Sequence, residues 1–155
     1  MRAPVTLREI TAATVRDVCR LAVAPGQTGF VAPNAVSIAQ AHFEPAAWFR
    51  AIAAGDELVG FAMLYDPTRT AAPSDGPDVC TLWRFMIDAR QQRNGYGAAA
   101  LGQLIAHART LPGVATFRLS FVPGEGSARD FYARHGFRET GAIDGGEVVM
   151  DLPLR

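Results

Sequence analysis

One short segment has the composition of an anion-binding turn, namely residues 92–98, which read Gln92, Arg93, Asn94, Gly95, Tyr96, Gly97 and Ala98. It lies between a stretch of β-favouring residues and a run of helix formers that extends to Arg109. Glycines allow the backbone to turn tightly, so several N–H groups can point at one anion. The unpaired N–H groups and the dipole at the start of the following helix favour the same ligand. The segment therefore predicts a diphosphate site, with Arg93 as an ionic contact at its rim.

Three interpretations of this segment compete: a strand-to-helix turn without a ligand, a dinucleotide-binding loop, or another kind of diphosphate site. Residues 95–100 formally fit the dinucleotide pattern GxGxxA. That motif begins almost directly after its strand, however, and an acidic residue follows about 20 positions later at the end of the next strand. Here a long loop separates Ile87 from Gly95, and the next strand ends at Val122. The absence of Gly-Lys-Ser/Thr from the sequence also excludes a nucleoside-triphosphate P-loop.

The composition indicates a folded protein with no electrostatic attraction to nucleic acid. Apolar residues make up 49% of the 155 residues, and 15 basic side chains balance 15 acidic ones. Nucleic-acid binders normally carry a basic patch, so we expect no such partner. Residues 1–10 lack the apolar core of a signal peptide, and prolines and glycines interrupt the longest uncharged stretch, 21–43. We therefore expect a cytoplasmic protein that makes no membrane contact.

The two cysteines, Cys19 and Cys80, are predicted to be small buried hydrophobes. They lie far apart in apolar surroundings, which is atypical of a disulfide in a chain with no secretory signal. No CxxC or HxxxH spacing occurs, so no structural metal is expected.

The elements that must position the glycine-rich turn follow from the spacing of apolar residues. Strands are predicted at residues 5–10, 47–53, 58–65, 80–87, 116–122, 137–142 and 147–152, and helices at 12–24, 35–43, 98–109 and 127–135. Thr11 is the expected N-cap of the first helix, and residues 66–77 are expected to form a surface loop. This order combines antiparallel hairpins with one parallel crossover, which is typical of a mixed α/β fold.

Two motifs in this order resemble the signature of GNAT acetyltransferases. The first is Q/R-x-x-G-x-G/A, and the second combines small, aromatic and glycine positions further along the chain. In this sequence the two motifs are Gln92-x-x-Gly95-x-Gly97 and Ala128-x-x-Phe131-Tyr132-x-x-x-Gly136-Phe137. The resemblance covers residues 79–141 by motif and the N-terminal half by element order. Residues 30–67, 82–88 and 94–101 are also similar to the bacterial spermine/spermidine-type branch.

The resemblance implies a single α/β domain over residues 1–155. Its central sheet would be mixed and mostly antiparallel, flanked by helices, with one parallel β-α-β crossover and splayed central strands. Acetyl-CoA would be the cosubstrate, with its pyrophosphate on residues 92–98. Backbone groups of Phe85, Met86 and Ile87 would meet the pantetheine arm and the thioester carbonyl. The acceptor would be a primary amine, favoured to be polyamine-like, acetylated directly in a ternary complex, and a homodimer is plausible.

Tyr132 is the residue that the resemblance implies as the acid for the departing thiolate. On spacing alone it equally fits a packing role beside Phe131 and His135 on the apolar face of its helix. A base is also needed, because an alkylammonium has a pKa of about 10.4 and its deprotonation at pH 7 costs about 4 to 5 kcal/mol. Some members of the family carry a strand glutamate where this chain has Thr81. The remaining candidates are Glu44, Glu57, Asp78 or a chain of water molecules.

The acceptor pocket is expected to combine apolar walls with polar contacts, for which the candidates are Phe30, Asn34, Glu44, Trp48 and Trp83. Glu125 stands where the family often has asparagine, which either weakens a coenzyme contact or brings a carboxylate near a cationic substrate. Arg93 stands where glycine is frequent. The alternatives are an acyl-CoA sensor without turnover, and an acetyltransferase that acts on an antibiotic amine or a protein N-terminus.

Overall fold

A seven-stranded sheet organises the chain, of which the computed structural model describes residues 3–155. The strands are β1 (Val5–Arg8), β2 (Ala47–Ala54), β3 (Glu57–Tyr65), β4 (Val79–Ile87), β5 (Thr116–Phe121), β6 (Arg138–Asp144) and β7 (Glu147–Pro153). The α-helices are α1 (Val15–Arg20), α2 (Asn34–His42), α3 (Tyr96–Thr110) and α4 (Arg129–Arg134), and short 3-10 helices cover Pro25–Gln27, Pro67–Arg69 and Ala89–Gln91. The predicted element order and the mixed α/β class are confirmed.

The sheet runs in the order β1-β2-β3-β4-β5-β7-β6, and every neighbouring pair is antiparallel except β4 and β5. Helix α3 connects these two parallel strands, as a parallel crossover requires. No helix among residues 3–155 has the length and apolar character needed to cross a membrane.

The parallel strands β4 and β5 separate before they end. Their pairing begins at Val79 with Thr116 and stops at Leu82 with Leu119. Trp83 is the extra residue of a β-bulge, because the register of β4 against β3 shifts between Leu82 and Arg84. Beyond this point β4 remains paired only with β3, and β5 only with β7. The predicted splay of the central strands is therefore present, and it leaves an opening in the middle of the sheet.

Each face of the sheet is covered by a separate hydrophobic cluster. On one face α3 buries a stripe of residues at helical spacing, Ala100, Leu101, Leu104, Ile105 and Ala108. On the other face Val18 of α1 packs with Phe61 and Met63 of β3. The packing of α3 on this face places its N-terminus at the C-terminal end of β4.

Two local predictions are wrong at the first helix. Helix α1 spans only Val15–Arg20, and its N-cap is Thr14 rather than Thr11. Residues 12–14 form a preceding turn, in which the Thr11 carbonyl accepts the N–H groups of Thr14 and Val15. Cys19 is exposed, since it lies one position beyond the buried Val18 and therefore on the outer face of the helix. Cys80 is buried as predicted.

The burial of Cys80 predicts that stability falls as the solution becomes alkaline. Burial, assisted by the negative charge of Asp66, raises the pKa of its thiol from 9.0 to about 12. The unfolded chain therefore ionises this thiol above about pH 9 while the folded chain does not, which lowers stability by about 1.4 kcal/mol per pH unit. Urea unfolding should show a loss of about 1.4 kcal/mol in total from this thiol between pH 8 and 10, with the full slope reached only above pH 10, and Cys80→Ala should reduce the loss. Cys19→Ala, which removes an exposed thiol, is the matched control and should keep the wild-type slope.

Candidate active site

The N-terminus of α3 presents a cluster of free backbone N–H groups. The first hydrogen bond at this end runs from the Ala99 N–H to the Gly95 carbonyl at 3.2 Å, so the N–H groups of Tyr96, Gly97 and Ala98 have no acceptor within the helix. Arg93 and Gly95 adopt positive φ angles of 67° and 80°. Left-handed residues of this kind turn successive N–H groups toward one point, and the helix dipole adds positive potential there. The turn is therefore built to hold an anion.

Side-chain hydrogen bonds fasten the loop that leads into this turn. Gln92 donates from Nε2 to the Ile87 carbonyl at 3.0 Å and to Gln27 Oε1 at 2.9 Å. Asp88, which is 3% exposed, accepts the N–H of Ala22 at 2.9 Å and the Nε of Arg90 at 2.9 Å. Burial opposes ionisation of Asp88, but these hydrogen bonds outweigh it and lower the pKa of the carboxyl. The turn is thus tied to the end of β4 and to the segment after α1.

A cavity of about 520 Å³ extends from the turn to the opening between β4 and β5. Its lining includes residues of the turn, of both central strands and of α4, among them Phe85, Ile87, Gly97, Phe121 and Phe131. A Cβ atom on Gly97 would lie 3.6 Å from Ile87 Cγ1 and 3.7 Å from Phe131 Cζ, which is ordinary contact. A larger side chain at Gly97 would therefore occupy the space between these two walls. We call this space the turn cavity.

A second cavity of about 560 Å³ lies on the other side of the opening. Residues of the segment after α1, of β4 and of the β6–β7 hairpin line it, including Trp83, Arg84, Asp144 and Glu147. The two cavities share six lining residues, Phe30, Val31, Phe85, Ser120, Val122 and Tyr132. Two molecules bound in these spaces would therefore meet beside Tyr132. We call the second space the hairpin cavity.

Tyr132 is held by aromatic packing at this junction. Its ring packs edge-on against Phe131 and Phe137, with centroid separations of 5.4 and 5.9 Å. The residue is 8% exposed, and this burial raises the pKa of the phenol well above its ordinary value of 10.0. Burial is the sole cause of the shift, so no neighbouring charge among the described residues offsets it. The hydroxyl therefore stays protonated at neutral pH.

The hairpin cavity carries two carboxylates and one guanidinium. Ser120 donates from Oγ to Glu147 Oε1 at 3.1 Å. Arg84 is tied to other groups, because its Nη2 donates to Gln40 Oε1 and its Nη1 to the Trp83 carbonyl, each at 3.0 Å. Desolvation lowers the pKa of Arg84, and the charge of Glu147 partly offsets this effect. Asp144 lies opposite Glu147 in the register of the hairpin.

The structure brings most of the predicted site residues together. Those that line the turn cavity are Phe85, Met86, Ile87, Gln92, Arg93, Gly95, Tyr96, Gly97 and Ala98, with Tyr132 and Phe30 at the junction. Trp83 lines the hairpin cavity. These positions follow from the crossover, which places the end of β4, the start of α3 and α4 around one opening.

Several predicted residues lie outside both cavities. Asn94 donates from Nδ2 to the Gln91 carbonyl at 3.1 Å and so closes the loop. Asn34 is buried and donates to the Val18 carbonyl at 2.9 Å, which joins α2 to α1. Glu44 accepts the N–H of Ala46 at 3.0 Å, and Trp48 stacks on His107 with centroids 4.1 Å apart. Their hydrogen bonds and packing give these residues structural roles.

The acidic candidates from the sequence also lie elsewhere. Glu57 accepts a hydrogen bond from Gln91 at 2.9 Å, and Asp78 and Glu125 are exposed and line neither cavity. Sequence reasoning missed Ser120, Asp144 and Glu147, because only the pairing of β5 with β7 brings the terminal hairpin to the opening. No local motif indicates that contact.

Comparisons with known proteins agree with this geometry. The acetyltransferase (GNAT) family matches residues 15–137, whereas no curated protein shows a significant sequence match. Among solved structures, an acetyltransferase from Thermus thermophilus is 19% identical, with 99% of each chain covered and a TM-score of 0.75. An aminoglycoside acetyltransferase in complex with coenzyme A is 16% identical over 96% of this chain and 94% of its own, with a TM-score of 0.77.

A third similar structure is the ribosomal-protein-S18-alanine N-acetyltransferase from Escherichia coli, 21% identical over 97% of this chain and 94% of its own, with a TM-score of 0.69. At these identities the structural likeness establishes the shared fold. The family match spans most of the sequence and includes both motifs that meet at the opening. The chain therefore belongs to the GNAT family of N-acetyltransferases.

Proposed function

We propose that the chain transfers the acetyl group of acetyl-CoA to a primary amine of a small cationic molecule, in a ternary complex. The observation that carries this proposal is the meeting of two cavities at Tyr132. One cavity begins at an anion-binding turn, and the other carries two carboxylates. A donor with a diphosphate and an acceptor with a positive charge would bind on opposite sides of one opening.

The turn cavity suits coenzyme A in charge and in shape. The N–H groups of Tyr96, Gly97 and Ala98 would receive the pyrophosphate, with Arg93 at the rim. Past Leu82 the edge of β4 has no strand partner on the β5 side, so its backbone polar groups are free to bond the amides of the pantetheine arm. A similar solved structure holds coenzyme A, which supports the same cosubstrate here. Acetyl-CoA supplies an acetyl group activated as a thioester.

The residues at the opening suit direct transfer to nitrogen. Tyr132 keeps its proton at neutral pH and faces both cavities, so it can protonate the departing thiolate. The buried Cys80 thiol is a poor nucleophile, because its pKa is raised to about 12 and it lines neither cavity. A route through an acetylated cysteine is therefore disfavoured.

The hairpin cavity favours an acceptor with more than one cationic group. Asp144 and Glu147 place two negative charges on its wall, and Trp83 adds an aromatic surface for an ammonium group. A polyamine-like molecule has an amine to acetylate and further cations to bind. The similar structures named for an aminoglycoside and for a ribosomal-protein alanine define the competing acceptor classes.

A panel of acceptors tests the proposed substrate class. Release of the coenzyme A thiol should be measured with spermidine, with an aminoglycoside, and with a peptide that bears a free N-terminus. We expect spermidine to give the highest kcat/KM, because its several cationic groups can pair with both Asp144 and Glu147 on the cavity wall. A preference for the peptide would contradict the proposed acceptor and assign the protein to the modification of protein N-termini.

Arg93 offers a separate test of the anion-binding turn. Arg93→Gly should weaken acetyl-CoA binding about three- to tenfold, because one exposed cation is lost, and the loss should shrink at high salt. Arg93→Ala should lose the same affinity but should be less stable than Arg93→Gly. Alanine, unlike glycine, is an L-residue, and the left-handed backbone at this position costs an L-residue about 1 kcal/mol. Calorimetric titration at low and high salt measures the affinity. A loss that does not depend on salt would contradict the electrostatic role.

A further inference from the structure

We propose that Glu147 accepts the proton of the acceptor ammonium, and that Ser120 positions its carboxylate at the opening between β4 and β5. The inference rests on the proposed amine acetyltransferase function, and it assigns the base that the sequence left open.

The reaction requires a base in the hairpin cavity, where the acceptor would bind. The sequence candidates do not meet this need, because Glu44, Glu57 and Asp78 line neither cavity. Among the described residues that line the two cavities, the carboxylates are Asp144 and Glu147. The base is therefore expected on the β6–β7 hairpin.

The register of β5 with β7 places Glu147 beside the opening between β4 and β5. Ser120 of β5 lies opposite Val149 of β7, so Glu147, two residues earlier, is its diagonal neighbour on the same face. The Ser120 hydroxyl donates to Glu147 Oε1 at 3.1 Å. Ser120 and Tyr132 line both cavities, so this hydrogen bond anchors the carboxylate beside the junction of donor and acceptor.

The charged groups around Glu147 leave its second carboxylate oxygen available. Arg84 faces the same cavity from β4 and its charge interacts with Glu147, but its two terminal nitrogens donate to Gln40 and to the Trp83 carbonyl rather than to that carboxylate. Its buried Nε has no hydrogen-bond partner among the described residues. Asp144 is exposed and lies opposite Glu147 on the same hairpin. A bound ammonium would find two carboxylates on this wall, of which Glu147 is the one held by Ser120.

The proposed step balances in atoms and charge. The ammonium N–H bond breaks, its proton goes to Glu147, and the freed nitrogen lone pair forms the bond to the thioester carbonyl carbon. As the C–S bond breaks, the Tyr132 hydroxyl gives its proton to the departing sulfur while it takes the remaining extra proton from the new amide nitrogen, so that no free phenolate forms in the buried site. Glu147 afterwards releases its proton to solvent. The net products are the acetylated amine, free coenzyme A and one proton.

The test is the pH dependence of turnover in Glu147→Gln, with the best acceptor of the panel. We expect kcat at pH 7 to fall about 10²- to 10³-fold, the range typical of a lost general base. The loss should shrink about tenfold per pH unit toward pH 10, because the free amine fraction rises toward an amine pKa of about 10.4. Acetyl-CoA affinity, measured by calorimetry, should stay within about twofold of wild type, since Glu147 does not line the turn cavity.

Three further variants separate proton transfer from other effects. Asp144→Asn removes the same charge from the same hairpin and should raise KM while keeping the wild-type pH profile. Asp78→Asn, an exposed carboxylate outside both cavities, should be indistinguishable from wild type. Ser120→Ala should lower kcat about three- to tenfold and keep the pH dependence of wild type, since the carboxylate remains.

Two results would overturn the assignment of Glu147. One is a kcat within about threefold of wild type in Glu147→Gln. The other is a loss that is equal at every pH and confined to KM, which would make Glu147 a substrate-binding carboxylate only. Absence of turnover by the wild-type protein with every acceptor would instead refute the proposed function, and this inference with it.

Discussion

Replacement of Tyr132 by phenylalanine should lower kcat about 10²- to 10³-fold without weakening acetyl-CoA binding. The change removes the proposed proton donor for the thiolate, and general acids contribute gains of this size. The ring contacts with Phe131 and Phe137 are kept, because only the hydroxyl is deleted. Steady-state thiol release measures the turnover, and calorimetric titration measures the affinity.

The same experiment separates an enzyme from a coenzyme sensor. A sensor would keep its ligand response in Tyr132→Phe and would show no amine-dependent turnover before the change. Tyr65→Phe is the matched control, because it removes a hydroxyl that accepts the Ser74 N–H, and Tyr65 lines neither cavity. A kcat in Tyr132→Phe within about threefold of wild type would show that another group protonates the thiolate.

Gly97→Val should weaken acetyl-CoA binding about 100-fold, which corresponds to about 2.7 kcal/mol. A single Cβ at this position makes ordinary contacts with Ile87 and Phe131, so the fold tolerates it. The two additional methyl groups of valine would fill the space between those walls and block close approach of the pyrophosphate to the backbone. Calorimetric titration measures the effect directly.

Gly102→Val is the matched control for this change. Gly102 lies in the same helix, is exposed, and has open space within 4 Å of the position that a Cβ atom would take. It carries the same helix-propensity difference between glycine and valine. We expect Gly102→Val to bind acetyl-CoA as wild type does. Equal affinities for the two valine variants would refute the assignment of the turn to the coenzyme.

Sequence reasoning predicted the fold and the glycine-rich turn at the start of α3, because their signals are local. The turn at Gly95 follows a dense apolar strand, and the helix after it has a clear apolar stripe. Free N–H groups at a helix start depend only on that local geometry. The second motif predicts the short helix that carries Tyr132, and this allowed Tyr132 to be placed near the free N–H groups.

The acceptor side of the proposed site could not be predicted from local sequence signals. Its carboxylates come from a hairpin more than 20 residues beyond Ser120, and they reach the opening only through the register of β5 with β7. Asn34 and Glu44 have the residue types of a polar pocket, but each hydrogen-bonds to a backbone group and lines neither cavity. A polar residue near a predicted site is as readily used for capping as for binding.

The most direct test of the whole account is calorimetric titration of the protein with acetyl-CoA, followed by addition of spermidine and detection of free thiol and of the N-acetylated product by mass spectrometry. We predict one micromolar site per chain, and release of coenzyme A that depends on the amine and matches the product mole for mole. Absence of binding heat together with absence of thiol release would contradict the central claim, because the turn at Gly95 and Gly97 would then hold no coenzyme.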